Sequence, residues 1–199
     1  MSGASRAGVR SGGSGRLPDG GSVTWSVADG SRGRRWRAVT TGADGRMVQA
    51  ILFELGSSGR TERLEVAAPA GLLTLHPEAD ESMLHGNVVR PAGIVHVALP
   101  WSPAHVLLIG MSPVSAAVAV RRLETRFGVG EGALLPVVEV AEDLVVRQTT
   151  WRVTRLDVDR WQLRPGAGEP GLDVTLDADG VIAGLVDAAT WPMEIEPAG

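Results

Sequence analysis

The stretch Met47-Val48-Gln49-Ala50-Ile51-Leu52-Phe53-Glu54-Leu55 decides the fold. Side chains alternate sides along a strand, so Met47, Gln49, Ile51, Phe53 and Leu55 oppose Val48, Ala50, Leu52 and Glu54. Both faces are largely apolar. A strand of this kind is central in its sheet or lines a cavity on one side.

Turn signals bracket it, Asp44-Gly45 before and Gly56 to Gly59 after. Upstream, Trp36, Ala38 and Thr40 alternate with Arg35 and Arg37, and Val23, Trp25 and Val27 with Ser22, Thr24 and Ser26. Downstream, Leu64 and Val66 face inward from Glu62–Val66, and Leu72 to His76 is a short apolar run. Gly86, Pro91, Gly93, Pro100 and Pro103 punctuate the middle of the chain, with apolar strands from Ile94 to Leu99 and His105 to Ile109. Strands return after residue 133. Leu134–Val140 is rich in Val and Leu, and alternation runs through Leu144–Thr154, Trp161 and Leu163, and Leu172, Val174 and Leu176, with a hairpin at Asp177–Gly180 and its return strand Val181–Val186. Many short strands joined by short turns define an all-β antiparallel sheet, sandwich, roll or barrel with at most one or two short helices.

Ser112-Pro113 and the Ala- and Arg-containing Ser115–Leu123 supply the one good local helix pattern, with Pro at the first helical position. Residues 1–20 are rich in Gly, Ser and Arg and nearly devoid of large apolar side chains, which predicts a disordered tail ahead of a single β-rich domain over residues 21–196.

Composition excludes several functions. The chain has 199 residues, 44% of them hydrophobic, enough for a buried core. Its net charge of −4 argues against a nucleic-acid partner, since phosphate-backbone binding needs an excess of cations. All 19 cationic residues are Arg, a bias of the kind a GC-rich genome produces, so an Arg run must be discounted before it is read as a site. Zero Cys removes disulfides, thiolate nucleophiles and zinc-finger chemistry. No apolar run reaches the roughly 18 residues of a membrane span, and no apolar h-region follows Arg6, Arg10 and Arg16. The expected compartment is the cytoplasm.

Chemistry is sparse. His85, His96 and His105 fall in one irregular stretch, which raises a three-His metal site feeding a hydrolase. Their spacing forces no convergence, so surface or hydrogen-bonded histidines are expected and no metal or cofactor is. Glu78, Asp80 and Glu81 read as a solvated loop, and Gly128 to Gly132 as a Gly-rich loop rather than a dinucleotide fingerprint. Of the six Trp residues most should be core anchors, with Trp101 and Trp151 held as candidates for a ligand surface. No catalytic residue is assigned.

Ser112 to Leu123 resembles, without a gap, the Thr-Pro-Phe-Thr-Asn-Thr-Leu-Pro-Ile-Arg-Arg-Leu motif of a bacterial β-rich family described as glycolipid-binding. Ser112-Pro113 stand for its Thr-Pro, Ser115 for its second Thr, and Arg121-Arg122-Leu123 for its end. Gly130-Glu131, Val137–Val140, Leu144 and Val146, Arg152–Leu156 and Val174–Gly180 are similar to later family segments, so the resemblance covers about half the chain, Val106 to Trp191. The motif's Asn is Ala116 here, its inner Pro is Ala119, and an upstream acidic pair is replaced by Val106 and Leu108. The resemblance implies a strongly curved antiparallel sheet, a β-roll or half-barrel, holding an amphiphile on an apolar concave face.

A family that accepts Pro within this motif is extended there, so helix and strand both stand for Ser115–Leu123. If extended, Arg121 and Arg122 point to opposite faces, and one reaches the rim of the concavity. They are the ligand-binding candidates from the motif, because a guanidinium fork suits a phosphate, a carboxylate or vicinal hydroxyls; the alternative is that both pin strands through carboxylates such as Glu124 or Glu139. Three functions follow. The first is non-enzymatic binding of a glycolipid or other acyl-bearing molecule, which an empty apolar cavity favours. The second is a structural or protein-interaction β domain, which a self-filled core favours. The third is a hydrolase using the His85–His105 region, which convergent histidines favour.

Overall fold

The computed structural model describes residues 10–17, 20–110, 112–123, 126–166, 171–176, 182–186 and 194–195. Strands β1 (Arg10–Arg16), β2 (Ser22–Gly30), β3 (Gly33–Thr41), β4 (Met47–Gly56), β5 (Thr61–Ala68), β6 (Gly71–Pro77), β7 (Met83–Arg90) and β8 (Gly93–Pro100) form an antiparallel meander. A short strand β9 (Val106–Ile109) leads into helix α1 (Pro113–Arg121). A second meander follows, β10 (Gly132–Val140), β11 (Val146–Arg155), β12 (Arg160–Pro165), β13 (Leu172–Leu176) and β14 (Ile182–Val186), and β15 (Glu194–Ile195) returns to pair with β1. The strands make a nine-stranded sheet, β15-β1-β2-β3-β4-β5-β6-β7-β8, and a six-stranded sheet, β14-β13-β12-β11-β10-β9.

The period-two reading holds in the nine-stranded sheet because cross-strand register lines up the apolar positions. One row runs Trp25, Ala38, Ile51, Val66, Leu73 and Val88, and the next Val27, Trp36, Phe53, Leu64, Leu75 and Gly86. All of these apolar residues are buried. Each large member contributes about 1.5–3 kcal/mol by leaving water. β4 is central, as its composition predicts, with Ile51, Phe53 and Leu55 in the core.

The first strand corrects the expected tail. Residues 1–9 lie outside the described residues, but Arg10–Arg16 is β1, paired residue for residue with β2. A Gly/Ser run has no side chains to bury, yet its backbone completes the ladder. Its glycines also make room: Gly13 lies opposite Trp25, and a Cβ there would stand 2.8 Å from the indole. The absence of a side chain lets the tryptophan lie across the strand, as aromatic residues do over edge glycines.

Among the described residues, antiparallel pairing has one exception. β9 and β10 are parallel, joined through α1. The motif is therefore helical over Pro113–Arg121 rather than extended. The motif's inner Pro is Ala119 in this chain, so no ring blocks the helical hydrogen bonds. The candidate start is also where expected, with Ser112 extended before Pro at the first helical turn.

The helix shapes the second sheet. It packs on β9 at one end of that sheet and on β13 and β14 at the other. In a flat sheet β9 and β13 would stand about 19 Å apart, four spacings of about 4.8 Å. A helix is about 10 Å across. The six strands must therefore curl around α1, which gives the half-barrel. Val114, Ser115, Ala116, Ala117, Val118, Ala119 and Val120 are all buried, so the helix has no solvent face over these positions. The concave surface expected to hold an acyl chain is occupied by α1. Ser115, aligned with the motif's second Thr, ties the helix down. Its Oγ accepts from the Ile109 amide at 3.0 Å and donates to the Ser112 carbonyl at 3.0 Å. Without that acceptor a buried amide would be unpaired, at a cost of about 1–3 kcal/mol.

Candidate functional site

The C-terminal end of α1 meets the hairpin tips of the nine-stranded sheet, and a cleft of about 600 Å³ opens between them. The β2–β3 tip contributes Asp29 and Arg34, the β4–β5 turn Ser57, Ser58 and Arg60, and the helix end Arg121, Arg122 and Arg126. The tips approach because Gly33 allows it: at φ +126° it sits where a Cβ would lie 2.0 Å from the Leu55 carbonyl oxygen.

Five arginines and one acid line this cleft. Arg34 and Arg60 have carboxylate partners. Arg34 donates twice to Asp29, from Nε at 2.5 Å and from Nη2 at 2.6 Å. Arg60 donates to Glu81 Oε2 at 2.5 Å. Arg122 is held differently, donating from Nη1 to the His105 carbonyl at 3.1 Å and from Nη2 to the Pro103 carbonyl at 2.8 Å. Carbonyls orient a guanidinium without cancelling its charge. Burial pushes the Arg122 pKa below its usual value, Arg126 and Arg60 push the same way, and Glu81 opposes them. The arginine stays protonated throughout the biological range. Arg126 is exposed and makes no side-chain hydrogen bond or ion pair among the described residues.

The two motif arginines thus line one cleft together. Helical rather than extended backbone is the reason, since successive helical side chains are about 100° apart and not opposed. Apart from Arg126, their charged companions Asp29, Arg34 and Arg60 come from distant upstream segments and carry no shared pattern in the sequence. The two candidate tryptophans are elsewhere. Trp101 is buried and stacks on His105 with ring centroids 5.2 Å apart. Trp151 is buried in the core from β11. Neither lines the cleft.

The histidines do not converge. His85 Nε2 lies 2.9 Å from Glu78 Oε1, and His96 Nδ1 lies 2.6 Å from Asn87 Oδ1. The Ser102 amide donates to His105 Nδ1 at 3.1 Å, and burial pushes the His105 pKa below the usual imidazole range. Among the described residues no group of three or more His, Asp or Glu is placed to hold a metal ion. A second cleft beside β10 and β11 contains Glu139 and Arg147, which pair with each other at 3.1 Å. Among the described residues no helix is long and apolar enough to cross a membrane.

An all-β chain with a curved sheet and an arginine-lined cleft is the class these features define. The solved structure of a DUF1089 family protein from Pseudomonas aeruginosa shares the fold, with a TM-score of 0.54 over 94% of this chain and 95% of that one. The two are 16% identical, so the likeness extends to the fold alone. No protein-family profile and no curated protein matches the sequence.

Proposed function

We propose that this protein is a non-enzymatic binding protein that takes the polar head of an amphiphile, such as a glycolipid or another acyl-bearing molecule, in the arginine cleft. The observation that carries the reading is the gathering of Arg121, Arg122, Arg126, Arg34 and Arg60 around one opening in a chain whose net charge is −4. A volume of about 600 Å³ suits a head group or small molecule. Because α1 fills the curl of the six-stranded sheet, the apolar part of the ligand stays outside the core.

The self-filled core also favours the second reading, a structural or protein-interaction domain. The two separate experimentally. Native mass spectrometry of the protein purified from its own host should show a bound small molecule. Arg121→Gln should weaken its binding roughly 5- to 150-fold, the span of one charge-assisted contact. Protein that carries no ligand, and binds none from a panel of short-chain glycolipids and alkyl phosphates, would overturn the binding reading in favour of the structural one.

A further inference from the structure

We infer that the cleft selects a phosphate group, a dianionic monoester on the ligand's head, over a neutral sugar or a single carboxylate. This inference rests on reading the cleft as the binding site. Its argument is one of charge. Asp29 and Glu81 already answer Arg34 and Arg60. Arg122 has spent donors on two carbonyls, and the acid that acts on its charge among the described residues, Glu81, is already paired with Arg60. Arg126 stands close enough to oppose the charge on Arg122 and has no side-chain partner among the described residues. Among the described residues, two guanidinium charges therefore face one opening with no carboxylate of their own.

A neutral sugar would accept hydrogen bonds there and leave both charges uncancelled. A carboxylate would cancel one. A phosphate monoester brings close to two charges and three acceptor oxygens, and a guanidinium fork binds such oxygens in pairs. Each guanidinium has five N–H donors, so Arg122 keeps donors beyond the two held by His105 and Pro103. Ser57 and Ser58 add hydroxyl donors from the β4–β5 turn. Gly59 holds that turn at φ +75°, a conformation open to glycine at no steric cost. A GC-rich bias explains why the cations are arginines, but it does not gather five of them at one opening in an acidic chain.

The test uses the full chain and calorimetric titration with four probes: inorganic phosphate, octyl phosphate, octanoate and octyl glucoside below its micelle concentration. Octyl phosphate should bind at least about tenfold more tightly than octanoate or octyl glucoside, with affinity falling as salt rises. Arg126→Gln should weaken octyl phosphate about tenfold or more and leave the melting temperature unchanged, because the side chain is exposed and makes no pair among the described residues. Inorganic phosphate binding as tightly as octyl phosphate would identify a free phosphate or phosphorylated metabolite as the source. Octyl phosphate binding far more tightly, with capture of the protein by phosphatidic-acid vesicles but not by phosphatidylcholine vesicles, would identify a lipid head. Octyl glucoside binding as tightly as octyl phosphate, with no effect of Arg126→Gln, would overturn phosphate selection and leave the binding reading standing. Failure of all four probes to bind would overturn both.

Discussion

Val118→Asp, Ala119→Asp and Val120→Asp will each destabilise the protein severely, by about 3–5 kcal/mol, the cost of an unpaired buried charge. Three successive residues on a helix point in three directions, about 100° apart. On an amphipathic surface helix at least one of them faces water and tolerates Asp. Here all three are buried, because β9 lies against the helix at one end of the curled sheet and β13 and β14 at the other. Urea denaturation of the three variants checks the claim. A wild-type midpoint for any of them would show that α1 has an open face and that the curl is not filled.

The second large effect belongs to Trp161. Its side chain is fully buried in β12, edge-on to Phe127 at 6.5 Å and beneath the Arg155 guanidinium at 5.2 Å. Arg155 is locked in place by the carbonyls of Phe127 at 2.9 Å, Asp157 at 3.2 Å and Val158 at 2.6 Å. Removing the indole leaves a cavity and strips this arginine of its cover, so Trp161→Ala should cost about 3–5 kcal/mol. Trp161→Phe should cost clearly less. The buried indole N–H has no acceptor among the described residues, so Phe removes an unsatisfied donor along with some volume. Thermal or urea unfolding of the two variants decides the matter, and equal losses would mean that the indole N–H is in fact paired.

Much of the fold was legible because period two survives into the cross-strand rows. Trp25, Ala38, Ile51 and Val66 each sit in an alternating segment, and each is buried in register with the next. The strand Arg10–Arg16 was not legible, since its contribution is backbone hydrogen bonds and empty space beneath Trp25, neither of which leaves an apolar pattern. The helix was legible in Ser112-Pro113 and the alanines after it. Its place inside the curl was not, because nine residues do not say which surfaces close on them. The hairpin at Asp177–Gly180 lies outside the described residues.

The site divides the same way. Arg121 and Arg122 stood out as adjacent cations at the end of a motif. Their importance as a pair comes from Arg34 and Arg60, brought to them by the tips of two hairpins, and from Arg126 one turn further on. Trp101 and Trp151 stood out by residue type alone, and burial placed both in the core. Arg122 serves two purposes, because it also fixes the loop at Pro103 and His105. That makes Arg126 the cleaner probe of binding.

The central claim is that a ligand's polar head enters the arginine cleft while α1 stays in the curl. Hydrogen–deuterium exchange with and without saturating octyl phosphate tests it most directly. The account predicts added protection at residues 56–60, 121–123 and 126, with the amides of 114–120 as slow to exchange as before. Faster exchange across 114–120 on binding, with no change at 56–60, would show that the ligand displaces the helix and occupies the sheet's concave face instead.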